Sequence, residues 1–229
     1  MESIQAIKQR FGIIGNTPSL NRALEKAIRV APTDISVLVT GESGVGKESI
    51  PKIIHSLSHR KHNKYIAVNC GAIPEGTIDS ELFGHEKGSF TGATEKKIGL
   101  IESANAGTLF IDEIAELPLP LQTKLLRFLE TGTYRTVGGT QYQQVDVRVV
   151  AATNRNLRQM VAEKKFRNDL YFRLTAFPVE VPPLRERKDD IPALAEHFLS
   201  DIEGGSAHIP LSEEVIEELF KYDYPGNVR

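Results

Sequence analysis

The fold is decided by residues 36–57, which read SVLVTGESGVGKESIPKIIHSL. The apolar, β-rich run at 36–40 predicts a strand, and isoleucines at helical spacing from Ile50 onward predict a helix. The glycine-rich turn between them fits the pattern GxxxxGK in the strand, loop and helix order of a phosphate-binding loop. In such a loop, backbone N–H groups and the positive end of the helix converge on a phosphate group. An ordinary glycine turn before a helix is the alternative, and the context favours the phosphate loop.

This loop supplies the candidate nucleotide-binding residues. We expect Lys47 to reach the β- and γ-phosphate oxygens. Position 48 is Glu, where the general motif has a Ser or Thr whose hydroxyl binds Mg²⁺. Pro51 removes a helix hydrogen bond beyond the first turn, so the helix is expected to begin near Lys47 or later. The residues assigned to the nucleotide are Gly41, Glu42, Ser43, Gly44, Val45, Gly46, Lys47 and Glu48.

A second apolar run, residues 108–112, ends in two acids, Asp112 and Glu113. Ligands of α/β sheets bind at the carboxyl ends of the strands. We expect Asp112 to hold Mg²⁺, directly or through water, and Glu113 to orient and polarise an attacking water. An Asp-Glu pair after a strand is also typical of a solvated helix cap, but the phosphate loop favours the catalytic interpretation.

The order of elements predicts an α/β fold in which helices flank a parallel sheet. Strands are expected at 36–40, 65–70, 108–112 and 147–153, and helices at 20–28, around Leu82 and at 119–129. Each strand is a continuous apolar run, as expected when helices cover both faces of the sheet. The fold class is that of a P-loop nucleotide-hydrolysing protein, with residues 1–181 as the nucleotide-binding subdomain.

A small helical subdomain is expected at residues 182–229. Pro182 and Pro183 interrupt the alternating pattern, and no further strand is evident after Val181. Residues 191–198 have helical periodicity, and Ser212 stands where an N-cap would precede a second helix. The chain stops at Arg229, directly after a turn-like Pro-Gly-Asn, so we expect this subdomain to be incomplete.

Composition excludes several classes of protein. The 229 residues are 40% hydrophobic and 25% charged, which argues against disorder, and 28 basic against 30 acidic residues argue against a broad surface for nucleic acid. No apolar run is long enough to span a membrane, and residues 1–10 lack the order of a signal peptide. The single cysteine, Cys70, agrees with a reducing compartment and is expected to be a small buried hydrophobe. A cytoplasmic location is therefore expected.

Three histidines raise the question of a metal site. His55, His59 and His62 have the spacing of one helical face. The surrounding stretch is basic and polar and adds no acid, so a solvated helix is the favoured interpretation.

Residues 81–93, ELFGHEKGSFTGA, resemble the signature of the bacterial sigma-54-dependent transcriptional activators, the NtrC-like enhancer-binding proteins with an AAA+ ATPase domain. Glu48 departs from the general phosphate loop but agrees with this family's form of it. The family hexapeptide is Gly-Ala-Phe-Thr-Gly-Ala, and this chain has Ser89 at the second position, which could alter the mobility of the loop. The resemblance continues through residues 151–154, 166–174, 182–187 and 224–229.

The resemblance implies a ring-forming ATPase that uses ATP and Mg²⁺ to remodel the closed complex of sigma-54 RNA polymerase into an open one. It implies a homo-oligomer, with a hexamer expected and a heptamer left open, and a place in two-component regulation. Three parts of the family are missing from this sequence: the N-terminal regulatory domain, the end of the lid and the C-terminal helix-turn-helix. DNA would be bound only through that helix-turn-helix.

The resemblance also assigns roles to single residues. Asn154 would sense the γ-phosphate, although an Asx turn is the structural alternative. Asn69 would hold Glu113 away from water until the target is engaged. The remaining assignments are arginine fingers to a neighbouring subunit at Arg167 and Arg173, a nucleotide-sensing lid arginine at Arg229, an adenine pocket at Ile14 and Gly15, and a sigma-54 contact at Gly88, Ser89, Phe90, Thr91, Gly92 and Ala93.

Two other functions are alternatives to this one. An AAA+ unfoldase or helicase loader needs a loop that grips a peptide or a strand, and a glycine-flanked Ser-Phe-Thr suits neither. A nucleotide-gated binding module without turnover is the non-enzymatic alternative. The joint presence of Lys47, Asp112, Glu113, Asn154 and Arg173 argues against it.

Overall fold

A five-stranded parallel sheet forms the centre of the protein, in a computed structural model that describes residues 3–202 and 210–229. The strands are β1 (Val37–Thr40), β2 (Tyr65–Asn69), β3 (Thr108–Asp112), β4 (Thr133–Tyr134), β5 (Gln143–Gln144), β6 (Arg148–Thr153) and β7 (Phe177–Glu180). The sheet has the order β2-β3-β6-β1-β7, and β4 and β5 form a separate antiparallel pair. The expected α/β class is confirmed.

The helices are α1 (Ile4–Phe11), α2 (Pro18–Val30), α3 (Ser49–Ser56), α4 (Glu75–Phe83), α5 (Leu100–Ser103), α6 (Leu119–Thr131), α7 (Leu157–Ala162), α8 (Asn168–Leu174), α9 (Ile191–Ile202) and α10 (Glu213–Lys221). Two buried clusters lie on opposite faces of the sheet. One includes Leu109 and Ile111, and the other includes Phe110 between them. Because successive strand residues face opposite sides, a strand covered on both sides needs an unbroken apolar run.

Register brings the ends of the strands together at one edge. Thr40 pairs with Thr153 across β1 and β6, and Asn69 pairs with Asp112 across β2 and β3. The residues that directly follow the carboxyl ends of these strands therefore lie along one edge of the sheet. This is the edge at which α/β proteins bind ligands.

Strand β7 was missed by the sequence analysis, which expected four strands in the sheet. Its sequence is Phe-Pro-Val-Glu, and only Val179 is buried. β7 pairs with β1 alone, so it is an edge strand, where a proline and a charged residue are tolerated. The other edge strand, β2, is also largely unburied, so the expectation that helices cover both faces of every strand was too general.

Helix α1 was likewise missed, since the first helix expected from the sequence begins at residue 20. Its signals are local caps. Ser3 Oγ accepts a hydrogen bond from Ala6 N at 3.2 Å, and Gly12 ends the helix in the left-handed conformation.

Helix α3 begins at Ser49, which confirms that Pro51 lies in the first turn, where its missing N–H has no partner to lose. The helix ends at Ser56, so His59 and His62 do not share its face and that interpretation was wrong. His55 Nδ1 lies 2.9 Å from Thr108 Oγ1. Within residues 3–202 and 210–229, no group of three or more metal-binding side chains is found.

The helical subdomain has a small buried cluster of its own, which includes Leu184, Ile191 and Leu194. Ser212 caps α10 by accepting a hydrogen bond from Val215 N, as expected. Cys70 is buried, and burial raises the pKa of its thiol to about 12, so the thiol stays protonated at neutral pH. In the described ranges, no helix combines the length and apolar character needed to cross a membrane.

Candidate nucleotide-binding site

A cavity of about 380 Å³ lies where the phosphate loop, the N-terminal segment and the helical subdomain meet. Its wall combines apolar side chains such as Leu20 and Leu24 with the backbone of the glycine loop. Among the residues that the sequence assigned to the nucleotide, the wall includes Ile14, Gly44, Val45, Gly46, Glu48 and Arg229. This lining suits a ligand that has a flat apolar group at one end and an anionic group at the other.

Gly44 allows the helical subdomain to approach the phosphate loop closely. Its φ of 80° is in the left-handed region, and a Cβ there would lie 2.2 Å from the carbonyl oxygen of Gly226. Lys47 Nζ donates to the backbone carbonyls of Gly41 at 2.8 Å and Glu42 at 2.6 Å. These bonds link the side chain of Lys47 to the backbone at the start of the loop.

The two acids face this lysine. Burial lowers the pKa of Lys47, and the charges of Asp112, Glu48 and Glu113 oppose that effect. Asp112 Oδ1 accepts a hydrogen bond from Glu113 N at 2.9 Å. The carboxyl end of β3 and the residue after it therefore place both carboxylates near Lys47.

Glu113 has a strained backbone. Its φ of 53° and ψ of 46° are left-handed, a conformation uncommon outside glycine and often found at functional sites. Its carboxylate lies against Gly71, where a Cβ would be 1.8 Å from Oε2. The amide N–H of Gly71 donates to Asn69 Oδ1 at 2.8 Å. Asn69 and Glu113 thus meet through the backbone of Gly71, and no direct hydrogen bond joins them in the described structure.

Asn154 follows Thr153 at the same edge and is exposed. Thr153 Oγ1, not the asparagine, accepts the hydrogen bond that turns the chain, from Arg155 N at 3.0 Å. The side chain of Asn154 makes no hydrogen bond within the ranges described, so the Asx turn is not formed and the amide is available to a ligand.

Glu42 is not among the residues that line the cavity, and in this respect the structure differs from its assignment to the nucleotide. Its carboxylate accepts hydrogen bonds from both terminal nitrogens of Arg185, at 2.8 and 2.5 Å, and from Asn227 Nδ2 at 3.1 Å. These bonds hold the pKa of Glu42 at about 2, so the group stays ionised at neutral pH. Glu42 joins the phosphate loop to the helical subdomain.

Asn227 completes this clasp, which consists of Glu42, Arg185 and Asn227. Its amide Nδ2 also donates to Ser43 O at 3.0 Å, and its Oδ1 accepts from Leu184 N at 2.8 Å. The next residue, Val228, donates its N–H to Gly44 O at 3.0 Å. The clasp brings Arg229, two residues beyond Asn227, to the cavity wall.

Gly15 lies outside the wall that includes Ile14. Its carbonyl accepts from Lys8 Nζ at 2.7 Å, and a Cβ at Gly15 would be 2.4 Å from the carboxylate of Asp190. Of the two residues expected to line an adenine pocket, only Ile14 lies on the cavity wall.

Neither candidate arginine finger lines the cavity of its own chain. Arg167 precedes α8 and forms an ion pair with Asp169 at 2.7 Å. Arg173 lies at the other end of α8 and donates to Leu129 O at 2.8 Å. It lines a second cavity with Ser36 and Val147, which precede β1 and β6. Arg173 is thus at the amino edge of the sheet, opposite the phosphate loop.

The glycine-flanked loop, residues 88–93, lies within the segment from His85 to Lys97. His85 and Lys97 exchange backbone hydrogen bonds of 3.0 and 2.9 Å, and Gly88 N donates to Ala93 O at 2.8 Å. Phe90 is 47% exposed, with its ring centroid 5.0 Å from that of His85. Ala93, in contrast, is buried. The fold therefore presents an aromatic side chain to solvent on a closed loop.

Ser89 packs against the β4–β5 connection. A Cβ at Gly138 would lie 2.5 Å from the Cβ of Ser89, and the buried Ser89 Oγ has no hydrogen-bond partner among the described residues. Glu86 N donates to Val137 O at 3.0 Å. The loop and the β4–β5 connection are therefore in direct contact.

Comparison with known proteins defines the class. The family described as the sigma-54 interaction domain matches residues 13–180, and the family described as the AAA+ ATPase lid domain matches residues 185–229. The chain belongs to the family of sigma-54 interaction domains, which are AAA+ ATPase domains of transcriptional activators.

Particular relatives agree with this family. Over 222 residues the chain is 44% identical to the DNA-binding transcriptional regulator NtrC of Azospirillum brasilense, covering 96% of this chain and 46% of the relative. Over 222 residues it is 48% identical to the Nif-specific regulatory protein of Bradyrhizobium diazoefficiens, covering 96% and 38%. The crystal structure of NtrX from Brucella abortus in complex with ATP is similar with a TM-score of 0.84 and 36% identity, over 94% of this chain and 47% of that one. The chain spans less than half the length of these relatives.

Proposed function

We propose that this chain hydrolyses ATP and uses the energy to remodel the closed complex of sigma-54 RNA polymerase into an open one, in the bacterial cytoplasm. The observation that carries the proposal is the phosphate loop and the lid arginine on the wall of one cavity, with the charges of two strand-end carboxylates acting on the lysine of that loop. A separate loop exposes an aromatic side chain. The Brucella relative with ATP supports the choice of nucleotide. DNA would be bound by a helix-turn-helix outside this chain.

The cavity would bind ATP with its base among the apolar side chains and its phosphates on the loop. Backbone N–H groups of residues 44–46 and the start of α3 would face the phosphates. Lys47 would exchange its backbone acceptors for the β- and γ-oxygens. Asp112 fits a Mg²⁺ site because a carboxylate oxygen beside a phosphate is a ligand that this ion prefers. The ion would neutralise charge on the phosphates when bound.

Glu113 would accept a proton from the attacking water. Its carboxylate is fixed by the left-handed backbone and by the contact with Gly71. Because Asn69 holds the N–H of Gly71, a shift of Asn69 would move the surface on which the carboxylate rests. This gives Asn69 a route to control Glu113 without a direct bond to it. Asn154, exposed beside them, would report whether the γ-phosphate is present.

We further propose a homo-oligomeric ring in which Arg173, and with it Arg167, serves the site of a neighbouring subunit. The position of Arg173 at the amino edge supports this, since a side chain on the opposite edge from Lys47 is poorly placed to reach its own site. A planar guanidinium suits the charge on a transferring phosphoryl group. The number of subunits is expected to be six.

The projecting loop would contact sigma-54 through residues 88–93. Thr91→Ala and Phe90→Ala are expected to leave ATP hydrolysis within about twofold of the parent, because no residue of 88–93 is in the described wall of the cavity. They should lower binding to sigma-54 by at least about tenfold, as loss of a central aromatic contact does at many interfaces. The measurement is binding of labelled sigma-54 in the presence of a transition-state analogue.

Thr94→Ala is the matched control, because Thr94 is exposed and lies just outside the hexapeptide. It should bind sigma-54 as the parent does. A large fall in melting temperature for Phe90→Ala would show that the ring stabilises the fold and would contradict its role as a presented contact.

The clasp is expected to support nucleotide binding through the lid. Glu42→Gln and Arg185→Met should each weaken ADP binding about fivefold, and the double variant should lose no more than either single one, because both remove the same contact. Calorimetric titration of ADP measures the effect. Glu218→Gln, which alters an exposed pair with Lys221, is the control. Additive losses would show that Glu42 and Arg185 act separately.

A further inference from the structure

Arg187 is a buried arginine whose hydrogen-bonding capacity is unused. Its side chain is 4% exposed and lines the nucleotide cavity. The guanidinium makes no hydrogen bond to any residue of ranges 3–202 and 210–229, and its Nε is buried without a partner. Buried polar groups nearly always have partners, so a group of five N–H donors left in this state needs an explanation.

The neighbouring carboxylate does not supply that partner. Asp190 Oδ2 lies 3.8 Å from Arg187 Nη1, beyond hydrogen-bond distance. Asp190 is already bound by the backbone N–H groups of Asn16 at 2.7 Å and Thr17 at 3.0 Å, and by Thr17 Oγ1 at 2.8 Å. The aspartate fixes the segment after Ile14, and it offsets the charge of Arg187 without satisfying its donors.

The position of Arg187 within the cavity indicates which part of a ligand it would meet. Its neighbour Asp190 contacts residues 15–17, which directly follow Ile14 on the wall. The phosphate loop and Arg229 form the other end of the same cavity. Through its proximity to Asp190, Arg187 is placed beside the part of the wall that Ile14 forms.

We propose that Arg187 is a second nucleotide-binding arginine of the lid, which donates hydrogen bonds to a neutral acceptor on the nucleoside part of ATP. Ring nitrogens of a purine and ribose oxygens are acceptors of this kind. This inference rests on the proposed nucleotide function of the cavity and adds a residue and a subsite to it. Arg187 would contribute equally to the binding of ATP and ADP, whereas a contact with the phosphates would distinguish them.

The test uses Arg187→Met, which keeps the apolar stem and removes every donor. Titration with AMP, ADP and ATP should show the same loss of affinity for all three, roughly tenfold to hundredfold, as expected for a hydrogen bond from a charged donor. The KM for ATP should rise by that factor with kcat at saturation within about twofold, because the contact is the same in the ground state and the transition state. ATP lacking N7 and ATP lacking a ribose hydroxyl then identify the acceptor, since the analogue without it should bind parent and variant alike.

Lys188→Met is the matched control, because Lys188 is the adjacent cation and donates to Phe220 O outside the cavity. It should bind nucleotides as the parent does. Arg187→Lys, which keeps the charge, should show an intermediate loss and serves if Arg187→Met does not fold.

Unchanged affinities, a loss that grows from AMP to ATP, or an equal loss in Lys188→Met would each overturn the inference. A fall in kcat together with a lower melting temperature of the nucleotide-free variant would also overturn it, since a merely structural role in holding Asp190 predicts both. A parent chain that binds none of the three nucleotides would defeat the proposed function itself. A parent that binds them and a variant that binds them equally well would defeat only the role of Arg187.

Discussion

Glu113→Gln is expected to bind ATP within a few-fold of the parent and to hydrolyse it about a hundredfold to ten-thousandfold more slowly, the range that general base catalysis contributes. The amide has nearly the shape of the carboxylate, so it should fit the same place beside Gly71. It lacks the negative charge that accepts a proton from water. The measurements are phosphate release and calorimetric titration of ATP on the same protein.

Two other variants make this expectation specific. Lys47→Ala should lose ATP affinity, because it removes the cation that faces the phosphates. Glu116→Gln, close by in the sequence but paired with Arg155 at 2.7 Å, should keep hydrolysis near that of the parent. An equal loss of binding in Glu113→Gln and Lys47→Ala would contradict the separate roles assigned to the two residues.

The parts of the fold that could be predicted are those governed by local chemistry. The buried strands β1, β3 and β6 are apolar because helices cover them on both sides, and the phosphate loop has a spacing that glycine and lysine alone define. Strand β7 carries Pro178 and Glu180, which are acceptable only because one side of the strand has no neighbour. That condition is a property of the assembled sheet and has no signal within residues 177–180.

The site was predictable to a similar extent. Gly44 and Gly46, which the motif predicted for the site, do line the cavity. The partners of Glu42 could not, because Arg185 and Asn227 lie 143 and 185 positions away and nothing in the sequence pairs them. Arg187 stands in a segment whose resemblance was noted, yet its burial without a hydrogen-bond partner is visible only in three dimensions.

The arginines show the same limit in another form. The spacing of Arg167 and Arg173 says nothing of where either side chain lies. The structure separates them along α8, with Arg173 at the amino edge among residues that precede β1 and β6. Since Lys47 and Glu113 lie at the carboxyl edge, we expect any contribution of Arg173 to hydrolysis to be made at the site of a second copy of the chain.

Arg173→Ala is therefore expected to bind ATP nearly as well as the parent and to hydrolyse it about a thousandfold more slowly, as loss of an arginine finger does in other phosphoryl-transfer enzymes. The charge matters chiefly at the transition state, so affinity for ATP should change little. Phosphate release and ATP titration measure the two effects. Arg158→Ala is the control, because Arg158 is exposed and donates to the hydroxyl of Tyr171 on α8, the helix that carries Arg173.

Mixing variants tests whether the arginine acts in trans. In a ring built from Arg173→Ala and Glu113→Gln chains, some interfaces combine an intact Glu113 from one subunit with an intact Arg173 from its neighbour. Those interfaces should hydrolyse ATP, so the mixture should regain part of the parent activity, while each variant alone stays inactive. Light scattering establishes that both variants assemble, and a labelled subunit establishes that they exchange. If they assemble and exchange and the mixture remains as inactive as its components, Arg173 does not act on the site of a neighbouring subunit.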